Sequence, residues 1–64
     1  MSDVEAIHAL LRLRLEGRVR SWTACCEDDG IHTVLIHWTH RRVPTGRSGR
    51  GLGEAIAAAL EDEG

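Results

Sequence analysis

The fold is decided by residues 18–43, which read RVRSWTACC (18–26), EDDG (27–30) and IHTVLIHWTHRRV (31–43). Both longer segments are rich in β-branched and aromatic residues, which favour strands. Asp29 and Gly30 between them are typical of the tight turn that joins two antiparallel strands. The sequence therefore predicts a β-hairpin at the centre of the chain.

Alternation along the two predicted strands divides their side chains between the faces of the hairpin. One face is expected to carry Val19, Ser21, Thr23 and Cys25 with Val34, Ile36 and Trp38. The opposite face is expected to carry Arg20, Trp22, Ala24 and Cys26 with Ile31, Thr33, Leu35 and His37. Since both faces are partly apolar, we expect a partner subunit to cover the second face. The predicted dimer interface consists of Trp22, Ala24, Cys26, Leu35 and His37.

A helix is predicted before the hairpin. Ser2 and Glu5 have the spacing of a capping box, in which each residue satisfies a backbone N–H of the other. The alternation of Leu and Arg in residues 11–15 would also suit a strand, but a hairpin at residues 16–17 would pair Leu13 with Arg20, which favours the helix. Its apolar positions recur at helical spacing up to residues 16–17 and are expected to face the core. They are Val4, Ile7, Leu11 and Leu15.

A second helix is predicted after the hairpin. Pro44 cannot donate a backbone hydrogen bond to a sheet, so it ends the second strand, and residues 45–51 are expected to form a loop. The last segment then has a single apolar stripe with small residues beside it, and residues 61–64 are expected to fray. The stripe consists of Leu52, Ala55, Ile56, Ala59 and Leu60.

The element order predicts an α+β protein, a two-layer α-β-β-α domain over residues 1–64 with one antiparallel hairpin. Both helices are expected on the sheet face of Val34, Ile36 and Trp38. The chain has no Phe or Tyr, so its apolar side chains are expected to fall short of the burial that ordering it requires. We therefore expect a twofold homodimer that completes the core.

Net charge, hydrophobic segments and cysteine content restrict the class of function. A net charge of −2, from 10 acidic and 8 basic residues, argues against a nucleic-acid binder whose whole surface is basic. No segment has the length of a membrane span or the order of a secretory signal, so a cytoplasmic location without membrane association is expected. Cys25 and Cys26 are adjacent and are expected to stay reduced.

Residues 41–53, RRVPTGRSGRGLG, contain four of the eight arginines and no acid. Such a segment at the start of a helix is suited to holding an anion, because glycine lets the backbone amides approach it and the helix dipole favours negative charge. Arg18 and Arg20 are expected at the same end of the hairpin, with Trp22 or Trp38 near enough to stack on a base. The predicted anion site consists of Arg41, Arg42, Arg47, Ser48, Gly49, Arg50, Gly51 and Gly53.

Residues 16–19, the hairpin, Val43, Pro44 and residues 50–55 together resemble the central part of the GCN5-related N-acetyltransferases. In that family an Arg/Gln-x-x-Gly-x-Gly/Ala loop after a strand holds the pyrophosphate of acetyl-CoA. The resemblance implies that the amides of residues 49–53 bind phosphate. Ser48 occupies the position of the family's leading Arg or Gln, and Arg47 lies one place earlier.

No set of residues predicts a metal, a cofactor or a catalytic centre. His32, His37 and His40, with His8, could suggest a metal, but on a strand His37 points away from His32 and His40, so three ligands cannot converge from this element alone. Cys26 is the one candidate for an alkylation test. We therefore interpret the chain as a homodimeric binding or regulatory module that recognises an anionic partner, either a nucleic-acid backbone or an acidic protein. The alternatives are a minimal acyl-CoA-binding protein of acetyltransferase type and a compact inhibitor or adaptor of a mobile element, which would engage a basic host protein.

Overall fold

The computed structural model describes residues 2–61. Along the chain it contains α1 (Asp3–Leu15), β1 (Val19–Cys26), β2 (His32–Trp38), β3 (Thr45–Gly49) and α2 (Leu52–Glu61). The strands form one antiparallel sheet in the order β1-β2-β3. The predicted α+β class, the hairpin and both helices are confirmed. The predicted loop over residues 45–51 is wrong, because its first five residues form β3.

β3 pairs with the edge of β2 that β1 leaves open. Ile36 lies opposite Thr45 and His32 opposite Gly49. The indole Nε1 of Trp38 donates a buried hydrogen bond of 2.9 Å to Thr45 Oγ1. This bond satisfies a buried indole N–H and fixes the first residue of β3 against the last residue of β2.

A β-bulge in β1 changes which side chains face the helices. The register shifts between Val19, which pairs with Trp38, and Ser21, which pairs with His37, so Arg20 is the extra residue. Beyond the bulge Trp22 lies opposite Ile36, and Ala24 lies opposite Val34. Since directly opposed residues share a face, the predicted division of β1 between the two faces is wrong from residue 21 onward.

The predicted dimer interface is consequently divided between the two faces of the sheet. Trp22, Ala24 and Cys26 lie on the side of the helices, and Trp22 packs against the core. Leu35 and His37 lie on the other, open side with Ser21, Thr23 and Cys25. These five residues therefore do not form one continuous surface, and dimerisation itself stays a prediction.

Both helices pack on the same face of the sheet, as the sequence predicts. The core contains residues from both helices, β1 and β2, and its largest member is the fully buried Trp38. The buried apolar residues are Ala6, Leu10, Val19, Val34, Ile36, Trp38, Ala55, Ile56 and Ala59.

α1 begins with the predicted capping box. Glu5 N donates to Ser2 Oγ at 3.1 Å, and Ser2 N donates to Glu5 Oε1 at 3.3 Å. Hydrogen bonds to the Glu5 carboxyl from the Ser2 hydroxyl and from the Ser2 backbone N–H lower the pKa of that carboxyl. The helix ends at Glu16, its C-cap, and Gly17 follows with a φ of 80°, which is typical of the residue after a helix.

The predicted core face of α1 is wrong for three of its four residues, and only Ile7 packs against the core. Ala6 and Leu10 are fully buried, and Ile7 and Leu13 are partly buried. Val4, Leu11 and Leu15 remain 63%, 44% and 90% exposed. Apolar residues occur all around α1, so spacing alone does not identify its buried side; the small side chain of Ala6 suits a close approach of α1 to the rest of the core.

The predicted stripe of α2 is confirmed, with Ala55, Ile56 and Ala59 buried. α2 approaches the end of β3 closely, since a Cβ on Gly49 would lie 2.8 Å from Ala55 N. The expected fraying concerns residues 61–64, of which 62–64 lie outside the described part of the chain; Glu61 is the last residue of α2. Within residues 2–61 neither helix is long and apolar enough to cross a bilayer.

Candidate anion-binding site

The structure distributes the predicted glycine-rich segment over a strand and a helix start. Ser48 lies in β3 opposite Thr33, and the two hydroxyl oxygens are 3.0 Å apart. Gly49 lies opposite His32 and beneath the first turn of α2. The backbone of these two residues therefore belongs to the sheet rather than to an anion-binding loop.

The N-terminus of α2 is capped by a carboxylate of the same chain. Gly53 N donates to Asp3 Oδ1 at 2.8 Å in a part-buried hydrogen bond. A Cβ on Gly51 would lie 4.0 Å from the same oxygen, so Asp3 occupies the position that an external anion would take at a helix start. A phosphate at Gly51 and Gly53 would have to displace Asp3.

β3 separates the four arginines of the predicted site into two groups. Arg41 and Arg42 precede β3, whereas Arg50 follows it. Five residues of strand span about 13 Å between the first and last Cα atoms, so Arg42 and Arg50 lie at opposite ends of the sheet. Arg47 lies between them opposite Val34, and its Nη1 donates to Gly46 O at 2.7 Å.

A cluster of arginines does form where β1 starts and β2 ends. We call Arg18, Arg20, Arg41 and Arg42 the arginine end; all four are exposed. The pairing of Val19 with Trp38 brings these two chain segments together, which confirms the predicted neighbourhood of the four residues.

Thr39 holds the two segments of the arginine end together. Its backbone N donates to Arg18 O at 3.1 Å. Its Oγ1 donates to Gly17 O at 2.7 Å and approaches Arg18 O at 3.1 Å. Three contacts to adjacent carbonyl oxygens therefore fix the start of β1 against the end of β2.

Two interactions orient side chains of the arginine end. The guanidinium carbon of Arg41 lies 5.8 Å from the centre of the Trp38 ring, within the range of a cation–π contact. Arg18 lies 3.9 Å from Glu16 in an ion pair whose side chains are about half exposed. An exposed pair of this kind contributes little stability, so an anionic ligand could compete for Arg18 at small cost.

The aromatic side chains do not offer a stacking surface at the arginine end. Trp38 has no exposed area, so the predicted stacking of a base on Trp38 is wrong. Trp22 is half-buried on the helix side of the sheet. Any ligand bound at this end would therefore have to be held by charge and hydrogen bonding.

The opposite end of the hairpin is acidic. The turn contains Glu27, Asp28 and Asp29, all exposed. Asp29 Oδ1 accepts a hydrogen bond of 3.1 Å from Ile31 N, and Gly30 has a φ of 84°, a conformation that glycine adopts at low cost. The hairpin thus carries positive charge at one end and negative charge at the other.

One thiol–imidazole contact is present, at the acidic end. Cys26 Sγ lies 3.7 Å from His32 Nε2. Both cysteines are free and exposed, so Cys25, which alternation placed on the face of Val34 and Ile36, is not part of the core. No cluster of three His, Cys, Asp or Glu side chains suited to a metal occurs in the part of the chain that the structure describes.

Comparison with protein-family models, with curated proteins and with solved structures found no match to this chain. The resemblance to the GCN5-related N-acetyltransferases therefore stays a prediction. The roles assigned above rest on the geometry of the chain alone.

Sequence reasoning missed two residues that determine the character of the site. Asp3 lies 50 positions from Gly53, and no local pattern links an acid at one helix start to the start of another. Thr39 has a weak signal, because a hydroxyl just beyond a strand can bond to nearby backbone carbonyls. The partners of that hydroxyl depend on the hairpin register, which the bulge at Arg20 alters.

Proposed function

We propose that the protein is a small homodimeric binding or regulatory module that captures an anionic partner at the arginine end. The observation that carries the proposal is the pairing of Val19 with Trp38, which gathers four exposed arginines. Their partner is a nucleic-acid backbone or an acidic protein surface. Guanidinium groups suit either, since they form forked hydrogen bonds to phosphate and to carboxylate.

The separation of charge along the hairpin supports this location. The acidic residues 27–29 lie at the far end of β1 and β2, so they oppose an approaching anion least when it contacts the arginine end. On the near side, Glu16 is already paired with Arg18 at an exposed position. The N-terminus of α2 is a weaker candidate because Asp3 neutralises it.

The proposal predicts binding that falls steeply with salt. Each phosphate neutralised on a single strand contributes about 0.7 to the slope of log K against log salt. Replacing Arg41 and Arg42 together by Ala should therefore flatten the slope by about 1.4. The matched double variant Arg47→Ala/Arg50→Ala removes the same charge outside the arginine end and should leave the slope near that of the unmodified protein.

The test is fluorescence anisotropy with a labelled single-stranded oligonucleotide and, separately, a polyglutamate peptide, each titrated at several salt concentrations. Circular dichroism of both double variants verifies that the fold is retained. Binding that does not respond to salt would contradict the proposal. If the two double variants reduce the salt dependence of binding equally, the arginine end is not the location of the binding site.

An acyl-CoA-binding protein of acetyltransferase type is the second candidate. It is supported by the direct passage from β3 through Arg50 and Gly51 into α2, the strand–loop–helix order that the resemblance implies. It requires the CoA phosphates to displace Asp3 from Gly53. Amide shifts of residues 49–53 during a CoA titration test it, and an unchanged spectrum at millimolar CoA would eliminate it.

A further inference from the structure

α1 presents an apolar stripe on the side away from the core. Val4, Leu11 and Leu15 are 63%, 44% and 90% exposed. At 3.6 residues per turn they lie on roughly the opposite side of the helix from the buried Ala6 and Leu10. Large exposed side chains that line up along one helix mark a contact surface more often than scattered ones do.

With His8 included, the stripe has the residue spacing of a coiled-coil interface. Val4, His8, Leu11 and Leu15 follow one another at intervals of four, three and four residues, the spacing of the two core positions of a heptad. His8 is exposed. The stripe therefore offers two heptads, three of whose four positions are aliphatic.

The charges beside the stripe specify its partner. Glu5 directly follows Val4 in the chain, and Arg12 directly follows Leu11. The two charged residues are seven positions apart, so they occupy the same heptad position along one side of the stripe. If a second α1 packs antiparallel on the stripe, equivalent flank positions meet. Glu5 then lies beside Arg12 of the partner subunit, and the twofold axis repeats that ion pair.

The same arrangement matches the apolar residues. Val4 lies opposite Leu15 of the partner subunit, and His8 lies opposite Leu11 of the partner subunit. A parallel pair would instead oppose the two copies of His8 and place Arg12 beside Ile7 of the partner subunit. On the other flank the antiparallel pair sets Arg14 beside Ile7 of the partner subunit, so the two arrangements differ in the ion pairs and in the separation of the two His8 side chains, which only the antiparallel pair provides.

We propose that the protein self-associates through α1 as a twofold antiparallel helix pair. This rests on the homodimeric part of the proposed function and replaces the divided sheet surface as its interface. A seam of two heptads buries less than the roughly 1,200 Å² typical of stable complexes, so the dimer is weak and depends on concentration. Anion binding at the arginine end is measured separately, so the two proposals fail independently.

The primary experiment is analytical ultracentrifugation from about 10 µM to about 1 mM, where an interface of this size class is expected to form. The unmodified protein should shift from monomer to dimer over this range. Leu11→Glu/Leu15→Glu should raise the dissociation constant at least about tenfold, because both side chains are exposed in the monomer and can change without disturbing the core. Val43→Glu is the matched control, since Val43 is 76% exposed and lies outside α1.

Charge exchange tests the antiparallel orientation. Glu5→Arg alone places an Arg at position 5 beside Arg12 of the partner subunit. Arg12→Glu alone places a Glu at position 12 beside Glu5 of the partner subunit. Like charges then repel across the interface, so each variant should remain monomeric. An equimolar mixture of the two restores both ion pairs and should form a heterodimer. Because each variant serves as the control for the other, loss of the Glu5 capping bond cannot account for recovery in the mixture.

Three results would overturn the proposal. They are an unmodified protein that stays monomeric throughout the range, a dimer that is indifferent to Leu11→Glu/Leu15→Glu, and a mixture of the charge variants that does not associate. A dimer weakened by Val43→Glu to the same extent would assign the interface to another surface.

Discussion

Removing the Asp3 carboxylate should destabilise the protein through α2, a helix in which Asp3 does not lie. Asp3 Oδ1 accepts a hydrogen bond from Gly53 N at 2.8 Å, and Gly51 supplies no side chain that could replace it. Loss of a helix-capping side chain costs about 0.5–2 kcal/mol. Asp3 also lies in the first turn of α1, so loss of its charge adds about 0.3–1 kcal/mol at each of the two helix N-termini. We therefore expect Asp3→Ala to lower the free energy of unfolding by about 2 kcal/mol.

Thermal and urea denaturation followed by circular dichroism measure the loss. In a domain of this size 1 kcal/mol corresponds to about 4–8 °C in Tm, so Asp3→Ala should melt about 8–16 °C lower. Asp3→Asn keeps an acceptor oxygen but no charge, and should lose about half as much. Glu54→Gln is the control, because Glu54 is an exposed acid in the first turn of α2, and it should lose only the effect of a charge beside the helix start, about 0.3–1 kcal/mol.

The same variant exposes the site that Asp3 fills. Sulfate should raise the Tm of Asp3→Ala more than that of the unmodified protein at equal ionic strength, because the amide of Gly53 becomes available to an anion. A loss of stability no larger than that of Glu54→Gln would refute the assignment of Asp3 as the cap of α2. Equal responses of the two proteins to sulfate would refute it as well.

Three further predictions concern the sheet and α1. Thr45→Val leaves the buried Trp38 indole N–H without its acceptor and should cost about 1–3 kcal/mol in urea denaturation; an unchanged midpoint would contradict the role of that bond. Gly49→Ala places a Cβ 2.8 Å from Ala55 N and should lower the free energy of unfolding by about 1–3 kcal/mol. Gly46→Ala is the control, because its Cβ would meet only Leu35 Cδ1 at 3.4 Å, and it should be nearly neutral. Equal effects of the two variants would contradict the close approach of α2. Hydrogen bonds from Ser2 lower the pKa of Glu5 below its ordinary value of 4.5. The ionised Glu5 carboxylate therefore stabilises the fold above pH 4.5, and this stabilisation is lost as the pH falls through the lowered pKa. Glu5→Gln should reduce the loss of Tm in acid, and a Tm that depends on pH as in the unmodified protein would contradict this role of Glu5.

The hairpin and the helices were predictable because their signals are local. The turn residues Asp29 and Gly30, the capping box at Ser2 and Glu5, and the small-residue stripe of α2 each act within a few positions. β3 has no such signal, since residues 45–49 contain two glycines and no apolar alternation. It becomes a strand because β2 has a second edge to satisfy and because Trp38 needs the Thr45 hydroxyl.

The errors in the predicted site have two structural causes. The bulge at Arg20 reverses the faces of β1, and alternation cannot reveal an inserted residue before the partner strand is aligned. The bond between Asp3 and Gly53 joins two helix starts that only the folded chain brings together. The arginine end was predictable because it follows from hairpin pairing alone. Arg50 was wrongly expected near Arg41 and Arg42, because the sequence did not reveal that β3 lies between them.

The proposed function places the anionic partner at the arginine end rather than at the glycine-rich start of α2. The most direct measurement is a two-dimensional amide NMR titration of the isotope-labelled protein with a single-stranded oligonucleotide at low salt. The largest shifts should occur at residues 18–20 and 39–42, while the amide of Gly53 should stay bonded to Asp3 and its signal should move little. Largest shifts at Gly51 and Gly53, with residues 39–42 unchanged, would contradict it.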